Sequence, residues 1–291
     1  MLFFGDTDIK MNDDEFRLVR DLIYDYSGLY FAEDNRFLLE RRLSPRLSQH
    51  QLSTFHEYYY YLRYDINKEQ ELSDIMDVLT TNETYFFREA FQLRAFSEEI
   101  LPEIISVKKS KGDRSLRIWS AGCSTGEEPY TIAMLLLEYP ELTGWDIEIV
   151  GTDISQRVLH HARKGVYGNA SFRVTDEKFK GRYFHEQDGG FRIADRVRGL
   201  VTFSRLNLYD QSRFLFLGKM DIVFCRNVII YFDQLAKKRV IEQFFTTLNP
   251  GGFLLLGHSE SLMNITTSFR LRHFRNDMVY EKPFRSGEMT I

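Results

Sequence analysis

LRIWSAGCSTGEEPYTIAMLLL, running from Leu116 to Leu137, decides the fold. Leu116 to Ala121 is a short, mostly apolar run of strand-forming residues, Gly122 to Glu128 is a small polar turn, and Pro129 to Leu137 is apolar over a helical length. The pattern predicts a strand, a tight loop and a helix in immediate succession. Pro129 is expected at the first helical position, where a missing N–H and a fixed φ do no harm. Glu127 and Glu128 then sit beside the positive end of the helix macrodipole. Gly122 and Gly126 allow the backbone to approach a ligand closely.

A glycine loop after a first strand points to a nucleotide, and the charges narrow which one. Phosphates bind at a helix N-terminus, but this loop offers two carboxylates there and no Lys follows Gly126. A ligand with an adenosine half, a cationic centre and no phosphate fits, and S-adenosylmethionine is such a molecule. Taken alone, the glycine pair also describes, less well, a tight strand-to-helix connection without a ligand.

The composition is that of an ordinary globular protein: 291 residues, 43% hydrophobic and 27% charged. A net charge of −4 argues against a protein that coats nucleic acid. Two cysteines, Cys123 and Cys225, cannot build a disulfide framework, and no metal-ligand cluster includes them. The acidic start MLFFGDTDIK does not read as a signal peptide and no run of ~18 apolar residues occurs, so the expected compartment is the cytoplasm, without membrane insertion.

Residues 1–80 read as an all-helical N-terminal domain. Phe16, Val19, Ile23 and Tyr26 share one helical face, and Leu72, Ile75, Met76 and Leu79 another. Arg36, Arg41, Arg42 and Arg46 lie among Leu38, Leu39, Leu43 and Leu47, with Ser44-Pro45 expected to interrupt that helix as a cap and a new first turn. The tyrosine-rich run Phe55 to Tyr64 is expected to be mostly core. Residues 81–114 form a linker containing a helix from about Glu89 to Val107 that Pro102 breaks or kinks. Residues 115–291 alternate strands and helices, which implies a doubly wound, mainly parallel α/β sheet. The strands after the first end at Asp153, Asn207 and Asn227, a fifth is FLLLGHS after the turn Asn249 to Gly252, and a hairpin closes the chain. About 170–200 breaks the alternation and reads as an inserted antiparallel β-subdomain with a turn at Asp188-Gly189-Gly190.

In such sheets ligands bind beyond the C-terminal strand ends, where strand order reverses. Gly122, Asp153, Asn207 and the pair Arg226-Asn227 should therefore converge on one crevice. Asp153 suits both ribose hydroxyls, Asn207-Leu208 the adenine, and Glu127 the ammonium or sulfonium end.

NETYFFR at 82–88, SAGCSTGEEPYTIAM at 120–134, GTDIS at 151–155, FCRNVIIYFD at 224–233 and GHSESL at 257–262 resemble the chemotaxis receptor methyltransferases, the CheR family. The resemblance covers almost the whole chain. It implies a class I S-adenosylmethionine-dependent methyltransferase fold and a cytoplasmic protein-glutamate O-methyltransferase. The expected reaction passes a methyl group from S-adenosyl-L-methionine to glutamates of methyl-accepting chemotaxis receptors, leaving methyl esters and S-adenosyl-L-homocysteine. Carried over by motif, the cofactor contacts are Asn82, Thr84, Arg88, Gly122, Glu127, Asp153, Asn207, Leu208, Cys225, Arg226 and Asn227. Arg88 and Tyr231 match the pair placed near the transferred methyl, and Arg36, Arg41, Arg42 and Arg46 match the basic helix that docks the receptor signalling domain. Ser44-Pro45 departs from the uninterrupted helix of the family, which makes Arg46 the least secure of the four. The turn after Tyr183-Phe184 is shorter than in members that grip a receptor C-terminal pentapeptide, so a monomer working without that tether is expected.

Two other classes compete. Base-modifying methylases carry a Pro-Pro-aromatic turn after the fourth strand, and Arg226-Asn227-Val228 has no such prolines, so no nucleic-acid partner is expected. A non-catalytic S-adenosylmethionine-binding signalling adaptor would keep the fold, but it would not need Arg88, Glu127, Asp153 and Tyr231 together.

Overall fold

The computed structural model of the chain describes residues 9–187 and 189–284. Helix α1 (Asp13–Ser27) starts in a capping box in which Asn12 and Glu15 exchange side-chain and backbone bonds, and α2 (Arg36–Gln49), α3 (Phe55–Tyr64) and α4 (Lys68–Leu79) complete a helical unit. Its core holds Phe16, Val19, Ile23, Leu39, Leu43, Leu47, Tyr58, Ile75 and Met76.

The expected break at Ser44-Pro45 does not occur, because α2 is continuous through Pro45. Leu39, Leu43 and Leu47 are fully buried along one face, so packing holds the helix across a residue that lacks an N–H. The Ser44 hydroxyl donates back to Glu40 O at 2.6 Å instead of capping a new turn. The tyrosine run also differs from expectation. Tyr58 is buried, but Tyr60 and Tyr64 are 50% and 69% exposed, since consecutive tyrosines at 58 to 61 must point around the whole helix.

The linker helix is α5 (Ala90–Ala95), a π turn (Phe96–Ile100) and α6 (Leu101–Ser110) in one run. Pro102 is the second residue of α6, and the wider turn before it relieves the clash that a proline makes with the preceding turn. The sheet and its helices follow: β1 (Ser115–Ala121), α7 (Glu127–Leu137), β2 (Asp146–Asp153) and α8 (Gln156–Lys164). Next comes a small three-stranded sheet of β3 (Val166–Tyr167), β4 (Phe184–Gln187) and β5 (Gly190–Ile193), with α9 (Glu177–Tyr183) inside it and α10 (Asp195–Arg198) after it. Its order is β3-β5-β4, so the antiparallel piece also takes in Val166-Tyr167, ahead of the expected range. Asp188 of the expected turn lies outside the described residues.

The chain ends with β6 (Val201–Arg205), β7 (Met220–Cys225), α11 (Gln234–Thr247), β8 (Leu248–Leu256), β9 (Arg270–His273) and β10 (Met278–Glu281). Asn249 to Gly252 is not a free turn before the fifth strand but an irregularity within β8, where the register against β7 shifts. The main sheet runs β6-β2-β1-β7-β8-β10-β9, and β10 is antiparallel to both its neighbours. Ile118, Ile222, Phe224 and Leu255 face one apolar cluster while Trp119, Val223, Cys225 and Leu254 face the other, so both sheet faces are covered. Strand order reverses between β1 and β7.

A buried ionic cluster fastens the helical unit. The Glu71 carboxylate accepts from Arg46, from the Tyr58 hydroxyl and from His50 Nε2, the last at 2.7 Å, and Arg46 also reaches Asp74 at 2.8 Å. Burial opposes ionisation of Glu71, but the bonds from Arg46, Tyr58 and His50 outweigh it and hold its pKa below the ordinary value of 4.5. Because the folded value is depressed, this stabilisation is present at neutral pH and is lost as pH falls through the folded value. Glu71→Ala should therefore lower unfolding free energy by about 3 kcal/mol at pH 7, the effect of removing the buried carboxylate that Arg46, Tyr58 and His50 share. In urea titrations the deficit should shrink at progressively lower pH.

Candidate active site

The C-terminal ends of the parallel strands open into one cavity, and the loop after β1 forms its floor. Gly122 and Cys123 donate to Thr152 O at 2.8 and 2.9 Å, which turns the chain sharply over β2. Gly122 has φ +76°, and a Cβ there would meet Val228 Cγ2 at 2.4 Å, so only glycine fits between the loop and the segment after β7. Helix α7 begins at Glu127, two residues earlier than the sequence predicts, which makes Pro129 its third residue. The amide of that position is also among the unpaired first-turn donors, so proline is tolerated there.

Asp153 ends β2 and is 7% exposed. Its carboxylate accepts the Ser124 and Ser155 N–H groups, each at 2.9 Å, and thereby joins the glycine loop to the cap of α8. Burial pushes its pKa up and makes it a weaker acid, against the pull of those backbone donors. Beside it, the Ser124 hydroxyl is buried without a hydrogen-bond partner, and so is Asn227 Oδ1; both residues line the cavity. Two unsatisfied buried polar atoms facing one cavity fit a ligand that carries hydroxyl or ammonium donors.

Arg226, 3% exposed at its side chain, follows β7 and anchors the wall. It bonds Glu89 through Nε at 3.3 Å and a terminal nitrogen at 3.1 Å, bonds Glu128 at 3.2 Å, and donates to Arg88 O. Glu128 also accepts from Ser120 Oγ at 2.6 Å, and burial raises its pKa despite Arg226. Arg88 is thus held from behind by its own carbonyl, between Phe87 and Glu89, whose φ values are +60° and +59°. Its guanidinium donates to Glu83 O at 2.6 Å and borders the cavity, as does Tyr231.

Of the residues singled out from sequence, Asn82, Thr84, Arg88, Gly122, Asp153, Asn207, Leu208, Arg226, Asn227 and Tyr231 line this cavity together. Glu127 does not. It is 2% exposed and accepts from Thr125 Oγ1 at 2.6 Å and Ser171 Oγ at 3.0 Å, so it fastens the loop to the inserted segment. Its neighbour Glu128, passed over in sequence, lines the cavity instead. Two adjacent carboxylates in one first turn point about 100° apart, and nothing in the motif tells which faces the cavity. Cys225 is fully buried beneath the site within β7, while Cys123 lines it, and burial raises the pKa of both thiols, keeping them protonated. Among the arginines of α2, Arg42 reaches the cavity and bonds Leu79 O and Thr81 Oγ1, and Arg41 is exposed. Arg36 pairs with Asp13 at 2.6 Å, and Arg46 is spent on Glu71 and Asp74. Residues of the helical unit that sequence reasoning missed, Ser27, Leu29, Tyr30 and Phe31, complete the wall.

A sheet reversing beside its first strand, a glycine loop at that strand's end and an acid ending the next define the class: a class I S-adenosylmethionine-dependent methyltransferase. Family comparison narrows it. Residues 82–277 match the CheR methyltransferase SAM-binding domain and residues 14–80 the CheR methyltransferase all-alpha domain. Chemotaxis protein methyltransferase 2 of Vibrio cholerae is 38% identical over 280 residues, covering 96% of each chain. The chemotaxis protein methyltransferase of Borreliella burgdorferi is 37% identical over 87% of this chain and 90% of its own, and chemotaxis protein methyltransferase 1 of Pseudomonas aeruginosa 32% identical over 91% and 97%. The chain belongs to the CheR methyltransferase family, and its cofactor is S-adenosyl-L-methionine. No helix of the described residues is long and apolar enough to cross a membrane.

The buried guanidinium gives the site a stability signature. Arg226→Met should leave Glu89 and Glu128 buried without their cation and lower unfolding free energy by about 3 kcal/mol in urea titrations. Arg226→Lys, which keeps the charge but not the planar fork, should lose less.

Proposed function

We propose that this enzyme passes the methyl group of S-adenosyl-L-methionine to glutamate side chains on the cytoplasmic signalling domain of chemoreceptors, forming methyl esters that serve chemotactic adaptation. The observation that carries this reading is the cavity in which Arg88, Tyr231 and the α2 residue Arg42 meet the cofactor loop. S-adenosylmethionine, when bound, supplies an electrophilic methyl on a sulfonium centre. A glutamate is ionised at neutral pH, with an ordinary pKa of ~4.3, so the chain needs no strong base. What its residues must do is align the carboxylate and strip it of water. Arg88 orients the carboxylate by charge-assisted bonds, and Tyr231 hydrogen-bonds it or bounds the methyl pocket.

For the cofactor, Asp153 is assigned to the ribose hydroxyls, Asn207-Leu208 to the adenine, and Asn82, Thr84, Gly122 and the pair Arg226-Asn227 to the remaining wall, with Cys225 buried behind it. Glu127 and Glu128 supply negative charge near the ammonium and sulfonium. The orphaned oxygens of Ser124 and Asn227 fit donors on the same ligand. Receptor docking is assigned to Arg36, Arg41 and Arg42 on α2, with Arg46 holding the helix in place through Glu71. An acidic coiled-coil surface complements that face. The enzyme is assigned to the cytoplasm, as a monomer, without a C-terminal pentapeptide tether and without nucleic-acid binding.

Titration calorimetry with S-adenosylhomocysteine tests the cofactor assignment: the wild type binds, and Asp153→Ala loses about 1–3 kcal/mol, roughly 5- to 150-fold in Kd. Absence of binding by the wild type would sink it. Radiolabelled methyl transfer to purified receptor signalling fragments tests the substrate. Arg88→Ala and Tyr231→Phe should lower kcat, and Arg41→Glu should raise the receptor KM about tenfold with kcat kept. Cofactor binding without any transfer to receptor fragments would leave the non-catalytic adaptor.

A further inference from the structure

Glu260 follows β8 and stands outside every role assigned so far. Its backbone closes a turn, N–H to Gly257 O at 2.9 Å. Its carboxylate then accepts four backbone N–H groups: Oε2 takes Gly257 at 2.7 Å and Asn227 at 2.8 Å, and Oε1 takes Val228 at 2.9 Å and Ile230 at 3.2 Å. Three of these donors belong to the short segment that leaves β7 and brings Asn227 and Tyr231 to the cavity. Within that segment Asn227 has φ +60°, a left-handed conformation that a non-glycine residue keeps only when its surroundings hold it.

The contact is close enough to constrain the other strand end as well. A Cβ on Gly257 would lie 2.8 Å from both Asn227 N and Nδ2 and 2.9 Å from Glu260 Oε2, so no side chain fits between β8 and the segment. The far end of the segment is fixed separately, where Tyr30 N–H donates to Tyr231 O at 3.0 Å.

We propose that Glu260 is a positioning residue for methyl transfer: its carboxylate sets the conformation of the segment after β7, and through it the placement of Asn227 and Tyr231, without touching either reactant. The proposal rests on the reading that Tyr231 borders the transferred methyl. A carboxylate is required because each oxygen serves two N–H donors. A glutamine has the same shape, but its NH2 would face two of those donors and repel them.

Steady-state kinetics on receptor signalling fragments test it, with Glu260→Gln, Gly257→Ala, Tyr231→Phe and the double variant Glu260→Gln/Tyr231→Phe, each checked by circular dichroism and melting. Glu260→Gln is expected to lower kcat about 30-fold, the order of effect of a sub-ångström misplacement, with receptor KM within about threefold of wild type and a native spectrum. Gly257→Ala, which keeps the carboxylate and displaces the segment, should give the same split. The double variant should lose less than the product of the two single effects, since part of the Glu260 effect runs through Tyr231. A wild-type kcat in Glu260→Gln beside an impaired Tyr231→Phe would overturn the proposal, as would strictly additive effects. Loss of the native spectrum by Glu260→Gln and Gly257→Ala alike would overturn it in favour of a folding role. A wild-type rate in Tyr231→Phe would instead remove the site reading beneath it, and the proposal with it.

Discussion

A buried guanidinium must be neutralised where it lies, and the site depends on how Arg226 is. Taking such a charge out of water is unfavourable by several kcal/mol unless carboxylates and carbonyls replace the solvent. Arg226 finds Glu89 and the Arg88 carbonyl in the linker and Glu128 in the first turn of α7. These partners come from segments far apart in sequence, so the charge can be satisfied only when β7, the linker and the glycine loop are assembled together. The linker is thereby part of the catalytic unit. Its residue Arg88 reaches the cavity because the backbone behind it is tied to the sheet.

The helical unit is fastened to the same place from the other side. Tyr24 donates to the Asp233 carboxylate at 3.0 Å, Asn207 Nδ2 donates to Tyr26 O at 2.6 Å, Arg205 bonds the Tyr26 hydroxyl at 2.8 Å, and Leu29 bridges Phe232. The residues between Ser27 and Phe31 consequently form a cavity wall as well as a connection to α2. A macromolecule bound along α2 and a small molecule bound at the strand ends would both press on Arg42. Asn207 illustrates the consequence for assignment: with its amide on Tyr26 O and its carbonyl oxygen accepting Tyr209 N–H, the residue shapes the wall through the interface.

Local rules sufficed for the central parallel strands, because strands buried on both faces read as apolar runs. Family motifs located the cavity walls residue by residue. What sequence left unread depended on packing between segments. Pro45 stays inside α2 because three leucines bury its face, which no propensity scale includes. Four of the five tyrosines of α3 escape full burial because periodicity does not say how wide a buried stripe is. Glu128 takes the cavity position expected of Glu127 because their directions depend on Arg226 and Ser171, residues of distant segments. Glu260 lay within a recognised motif, yet its partners are backbone amides, which carry no sequence signature.

Backbone strain marks the same surfaces. Among the described residues, six non-glycine positions have positive φ, and four of them, Phe87, Glu89, Ser124 and Asn227, belong to segments around the cavity. Each such conformation is unfavourable by about 1–3 kcal/mol and persists only under external constraint. Here the constraint is a charged side chain in every segment: Arg226 on Arg88 O and the Glu89 carboxylate, Asp153 on Ser124 N–H, Glu260 on Asn227 N–H. Charge-assisted bonds to backbone are strong enough to offset that strain and directional enough to fix it. Acids and bases that look catalytic by their burial therefore serve first to hold the peptide chain in shape, while Arg88, Tyr231, Ser124 and Asn227 line the cavity those bonds shape.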